Sequence, residues 1–320
     1  MDIVLHILSR NILPLFFLIL IGYVLDRAFN LDINALLKVN FYVFVPVFTF
    51  VNLYQTAIET DALLAMLVTA LILLGNMAVS HLLARIRGYS RSMTSAFQNS
   101  VMFYNSGNIG IPIVTLVFSS GVFVVNGETP YLSLAVTIQI MVLVIQNITT
   151  NTLGFFNAGR ASLHWRQAVL NVLKMPAIYM ISLAFILKAI PYDFTRIPIW
   201  PALEYARGGL VPVALITLGT QLAKSRIHLR NRTVYLAVAT RLLIGPLMAL
   251  ALIWLLRIDG IVAQVLLISA AVPSAVNSAL IAVEYDNHPD FATQVVVVST
   301  LASAFTLTGV IYLASMLFPV

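Results

Sequence analysis

Long apolar runs separated by short polar connections dominate the chain. Ten such runs can be marked, at roughly residues 3–26, 33–54, 61–84, 92–120, 130–157, 167–189, 198–222, 233–256, 259–284 and 289–317. At 1.5 Å per residue, each is long enough to cross a hydrocarbon layer about 30 Å thick as an α-helix. No polar stretch is long enough to form a separate soluble domain. The pattern predicts an all-α polytopic membrane protein with ten transmembrane helices.

Composition agrees with this reading. Apolar residues make up 60% of the 320 positions and charged residues 9%, where a soluble globule carries about a quarter charged. Mean hydropathy is +0.96, so a lipid bilayer is the expected partner. The net charge of +6 needs no nucleic acid to explain it, because the basic residues collect in alternate connections. Those after the first, third, fifth and seventh runs carry Arg27, Lys38, Arg85, Arg87, Arg91, Arg160, Arg166, Lys174, Lys224, Arg226, Arg230 and Arg232. The opposite set has only Lys188, Arg196 and Arg257, with Arg10 near the start. Basic loops stay in the cytoplasm, so both termini are expected to be extracytoplasmic in a cell's inner (plasma) membrane. One acidic connection, 284–290, falls on the basic side. Asp2 and His6 replace the basic region of a cleaved signal, so the first run is expected to be a retained span. The absence of cysteine excludes disulfides, thiolate metal sites and a Cys nucleophile. No enzyme motif of the HExxH, GxSxG or phosphate-loop kind is present.

Prolines recur at matching places in the two halves. Pro14, Pro46 and Pro112 pair with Pro176, Pro212 and Pro273 at offsets of 162, 166 and 161. Phe44-Val45-Pro46-Val47 also matches Leu210-Val211-Pro212-Val213. A five-span unit repeated in this way enters the membrane upside down the second time. Two inverted five-helix repeats are therefore expected, 1–158 and 159–320.

Two runs are interrupted, the fourth at Tyr104–Pro112 and the ninth at Ala271–Ser278. Unwound backbone has unmet N–H and C=O groups, which in lipid must face protein or a watered cavity. Paired Gly/Pro-interrupted spans at repeat-related positions point to a solute site. The candidates on the first break are Asn105, Gly107, Asn108, Gly110 and Pro112, and on the second Pro273 and Asn277. Each Asn both accepts and donates, glycine lets backbone approach a solute, and the prolines are expected to hold the half-helices apart. Arg241, well inside the eighth run, can meet an anion there or snorkel to the surface. Asn76, Gln139, Ser274, Ser299 and Ser303 are candidate ion ligands or supporting groups. Hydrogen bonding between helices is their alternative role. Gln146 and Thr150 share the helical face of Gln139. No carboxylate lies at the centre of a run, which favours sodium coupling or uncoupled movement over a carboxylate proton relay.

Asn105-Ser106-Gly107-Asn108-Ile109-Gly110-Ile111-Pro112 resembles the signature of the auxin efflux carrier family. Pro273-Ser274-Ala275-Val276-Asn277, through Ser299-Thr300-Leu301, is similar to that family's carboxy-terminal pattern. The resemblance implies a bile-acid/sodium symporter-like fold, with the fourth and ninth spans crossing at mid-membrane. It also implies a panel of spans 1, 2, 6 and 7, a core of spans 3–5 and 8–10, and a homodimer formed through the panels. A short connection, 157–166, stands where plant members often carry a long loop, so the chain is more similar to bacterial malonate-transporter-like members. The expected function is secondary transport of a small carboxylate-type organic anion by alternating access, with no resident cofactor and Na⁺ as the candidate coupling ion. Two alternatives remain: a sodium/bile-acid-type symporter of larger amphipathic anions, and a membrane scaffold or sensor that transports nothing.

Overall fold

The computed structural model describes residues 2–56, 60–159, 176–225 and 231–320. Among them every regular element is helical, and extended pairing is confined to two isolated bridges, Tyr104 with Ser274 and Val125 with Glu128. The principal helices in chain order are α1 Val4–Phe29, α2 Ile33–Gln55, α3 Thr60–Ile86 and α4 Arg91–Met102. Next come α5 Ser106–Phe118, α6 Leu132–Ala158, α7 Pro176–Lys188 and α8 Trp200–Lys224. Last come α9 Arg232–Leu255, α10 Gly260–Ala270, α11 Val276–Glu284 and α12 Pro289–Leu317. Helices α1, α2, α3, α6, α9 and α12 are long and apolar enough to cross a membrane. The protein is a polytopic helical membrane protein. The fourth and ninth runs are each two short helices in line, α4 with α5 and α10 with α11. The start of the sixth run and the basic residues Arg160, Arg166, Lys174, Arg226 and Arg230 lie outside the described residues.

Prolines shape the helices differently from the expectation. Pro14, Pro46, Pro112 and Pro246 each stand two residues beyond a π-turn, at Leu8–Ile12, Asn40–Phe44, Ser106–Gly110 and Thr240–Ile244. A proline ring in an α-helix collides with the carbonyl four residues back and leaves it without a donor. Widening the preceding turn moves that carbonyl aside and the helix continues. Pro112 therefore does not interrupt its helix. The break lies at 103–105, ahead of the widened turn, while Pro273 does sit inside its own break at 271–275. Pro212 lies within the unbroken α8.

Packing follows small residues. The most extensive helix contact is between α1 and α8. There, a methyl group on Gly22 would run into the carbonyl of Ile216, and one on Gly219 into the carbonyl of Ile19. Backbone meets backbone at this seam, as it can only where side chains vanish. Helix α2 packs on α7 and α8; α3 packs on α4 and α6; α10 packs on α6 and α12; α9 and α11 pack on α12.

Side-chain contacts sort the connections into two groups. Tyr54 Oη accepts from the Phe194 amide at 3.0 Å, Thr56 meets Ser133 at 2.5 Å, and His6 lies against Gly121. In the other group, Ser92 donates to Asn287 at 2.7 Å, Tyr89 to Thr233 at 3.4 Å and Lys224 to Asn30 at 2.9 Å. The acidic connection containing Asn287 thus packs beside the basic one that precedes α4.

Candidate functional site

The two breaks touch. The Asn105 amide donates to the carbonyl of Pro273 at 2.8 Å, and the Ala275 amide donates to Phe103 at 2.9 Å. These bonds form the short antiparallel bridge of Tyr104 with Ser274. Other freed backbone groups are met as buried groups must be. Gln146 Oε1 accepts from the Tyr104 amide at 3.2 Å, and Ser274 Oγ donates to Ser100 at 2.7 Å. Ser299 Oγ accepts from the Ser274 amide at 3.2 Å. Gln139 ties three helices, donating to the Ser106 carbonyl at 3.0 Å and accepting from Ser269.

Beside the bridge is a small cavity of ≈ 30 Å³, lined by Phe41, Tyr104–Asn108, Leu143, Gln146, Asn147, Thr150 and Ala275–Asn277. Both half-helices that start at the breaks, α5 and α11, present their N-terminal turns to it. Asn105 Oδ1 caps the first of them, accepting from the Asn108 amide at 3.1 Å. Asn108 Oδ1 in turn accepts from Asn40 Nδ2 at 3.1 Å. Two amide groups on the lining are buried and have no partner, Asn105 Nδ2 and Gln146 Nε2. The cavity therefore offers unused N–H donors and the positive ends of two helix dipoles. Gly107 faces it across Leu143, where an added methyl would lie 3.5 Å from Leu143 Cδ1.

Of the candidates read from the sequence, Asn105, Gly107, Asn108 and Asn277 line this cavity. Gly110 and Pro112 stand behind it, and a methyl on Gly110 would strike Gln139. Pro273 contributes its carbonyl to the bridge. Arg241 is not on the lining. It is fully buried on the far side of Tyr104, with its guanidinium carbon 4.8 Å from that ring's centre. Ser303 bonds only to Thr300 on its own helix. Asn76 is fully buried with neither side-chain atom partnered. Asn40 and Phe41 escaped the sequence reading; their signal was their place in the widened turn ahead of Pro46.

Comparison with known proteins follows this geometry. Residues 160–311 match the family described as membrane transport protein. An uncharacterized transporter of Methanothermobacter thermautotrophicus is 25% identical over 307 residues, covering 93% of this chain and 96% of its own length. Over its second half the chain is similar to this membrane transport family, and nearly all of it aligns with the archaeal transporter. The auxin-efflux-carrier resemblance pointed to this family. The second break lies within the matched residues and the first lies before them.

Two larger clefts flank the cavity. One, of ≈ 500 Å³, opens between the ends of α2 and α8 on one side and α11 and α12 on the other, with Asn34, Gln221, Lys224 and Asp290 at its rim. It shares Val276 with the central cavity. The other, of ≈ 300 Å³, lies between α2 and α8 and the helices α5 and α6, with Asn52, Gln55, Thr115, Ser133 and Arg207 on its wall. It shares no lining residue with the centre. Arg207 there is held by Glu204 at 2.8 Å and Gln55 at 2.9 Å.

Proposed function

We propose that the protein is a secondary transporter of a small carboxylate-type organic anion, which binds where the two broken spans cross. The observation that carries this reading is the central lining of two half-helix N-termini with two buried, unpartnered amide groups. That arrangement favours negative charge, and a carboxylate accepts from several N–H groups at once. The binding set is Asn105, Gly107, Asn108 and Asn277, with Gln146 added.

Alternating access fits the clefts. A cavity of ≈ 30 Å³ has room for about one water molecule, so a solute enters only when helices α2 and α8 separate from their neighbours. The panel (α1, α2, α7, α8) and the core (α3–α6, α9–α12) are the moving bodies in this reading, and the inverted repeats 1–158 and 159–320 supply one break each. The basic end faces the cytoplasm, which leaves both termini outside, and panels pair in a homodimer. Support for a bulkier, amphipathic anion comes from the larger cleft, where Leu37, Leu218, Leu222, Leu280 and Val283 form the wall beside Lys224, whose ammonium is paired with Asp26 at 2.9 Å.

The test is a melting-temperature screen of the purified protein with mono- and dicarboxylates and bile-acid-like anions, followed by uptake of the hits into proteoliposomes. Specific stabilisation and uptake of a small carboxylate support the reading. Preference for steroid-like anions moves the cargo to the second class. No stabilisation and no uptake of any anion sinks both in favour of a scaffold or sensor.

A further inference from the structure

We propose that Arg241 is a tethered cation standing where a coupling ion would otherwise sit, so that the crossing needs no Na⁺. The inference rests on the transporter reading for its meaning, but its geometry is independent of any solute. Half-helices α4 and α10 end at the breaks with their C-terminal carbonyls facing inward. Arg241 Nη1 donates to Val101 at 3.1 Å and Nη2 donates to Ala270, so one guanidinium bridges a carbonyl from the last turn of each half-helix. The Tyr104 ring covers its face. Among the described residues Arg241 forms no ion pair with a carboxylate, and it is fully buried.

The charges balance without further help. Each helix C-terminus carries roughly −0.5 of an elementary charge, so two of them offset about one full positive charge. Half-helix C-termini and freed carbonyls are the groups that hold a coupling ion in broken-helix carriers. Here most of those at the ends of α4 and α10 are taken. Besides Val101 and Ala270, the Asn99 carbonyl accepts from Phe103, Ser100 from Ser274, Ser269 from Val272, Phe103 from Ala275 and Pro273 from Asn105. Arginine keeps its charge at any working pH, so this cation neither leaves nor exchanges a proton. The widened turn Thr240–Ile244 and the bare Gly245 make the fit, since a methyl on Gly245 would run into the guanidinium. Tyr104 divides the crossing into a negative side filled by Arg241 and a positive side left open as the cavity.

The experiment reads melting temperature without solute. Replacing Na⁺ by choline at constant ionic strength should shift the wild-type protein by less than about 1 °C, where an occupied ion site near 100 Kd would shift it by several degrees. Arg241→Ala, purified with methylguanidinium present, should stay monodisperse and melt several degrees lower when that ion is removed. Methylurea, of similar shape but neutral, should not replace it. Arg241→Lys should recover part of the loss. Selective stabilisation of the wild type by Na⁺, or equal rescue of Arg241→Ala by methylurea, overturns the proposal. So does failure of the variant to be recovered even with methylguanidinium while Arg241→Met folds normally. In proteoliposomes, anion uptake should be equal with and without a Na⁺ gradient. Uptake driven by that gradient defeats this proposal and leaves the carrier reading standing. Absence of all uptake defeats the carrier reading and leaves the melting-temperature result to decide the role of Arg241.

Discussion

The amide of Asn105 and the carbonyl of Pro273 lie 2.8 Å apart, joining residues 168 positions apart in the chain. With the return bond from Ala275 to Phe103, this makes a two-bond joint between the interrupted segments. Each segment meets part of the other's backbone need, so neither break would be tolerable alone in an apolar surrounding.

Asn277 and Asn105 should separate binding from folding. The Asn277 side chain lines the cavity and makes no hydrogen bond among the described residues, whereas Asn105 caps α5. Asn277→Ala should leave melting temperature nearly unchanged and weaken solute binding about five- to hundredfold, the equivalent of about 1–3 kcal/mol. Asn105→Ala should also lower stability by about 1 kcal/mol through the lost cap. Titration and thermal unfolding on the same two proteins check this, and normal affinity in both removes them from the site.

Two glycines three residues apart should respond in opposite ways. A methyl on Gly107 meets only Leu143, at an ordinary contact distance of 3.5 Å. Gly107→Ala should fold normally yet lower uptake at least about fivefold, as expected for about 1 kcal/mol of lost solute contact. A methyl on Gly110 displaces Gln139, which is bonded to Ser106 and Ser269. Gly110→Ala should cost about 1–3 kcal/mol of stability by leaving buried polar groups unpaired. The reverse order of melting temperatures would contradict the described geometry.

Gly219 and Gly208 offer a matched pair on one helix. Nothing lies near a methyl on Gly208, while one on Gly219 collides with the α1 backbone. Gly208→Ala should be neutral or stabilising by up to about 1 kcal/mol from helix propensity. Gly219→Ala should destabilise by about 1–3 kcal/mol through overpacking. Detergent melting curves of both variants test the seam.

Orientation is open to a direct chemical test, because the chain has no natural cysteine. Arg87→Cys and Glu128→Cys place single thiols at exposed positions in opposite groups of connections. In intact cells an impermeant thiol reagent should label position 128 and spare position 87. Labelling of 87 alone would invert the assignment.

The sequence showed the helical membrane class and the two interrupted runs, because these depend on hydropathy and on local punctuation. It placed Asn105, Asn108 and Asn277 at those interruptions for the same reason, and they line the cavity between them. The proline reading was less faithful. Pro112 looked like the breaker of its span, but a ring can be accommodated by one widened turn, and the interruption came from the Phe103–Asn105 stretch. The place of Arg241 was also hidden. Linear position says how deep a guanidinium lies, not whether it meets a solute or the ends of two other helices. Asn40 was missed because its importance depends on a contact with Asn108, 68 residues away.

The glycine seam also sets a timetable. Gly22 and Gly219 belong to helices made 197 residues apart. At about 5–20 residues per second, α1 leaves the ribosome roughly 10–40 s before its principal neighbour exists. Through that interval it has to persist in lipid alone, without the packing that later surrounds it. Its most apolar stretch has a mean hydropathy of 2.1 and is only 28% buried by protein in the finished fold, so it is suited to lipid before and after assembly. The greasiness that the assembled helix turns toward lipid also holds the newborn one in place until its partner arrives.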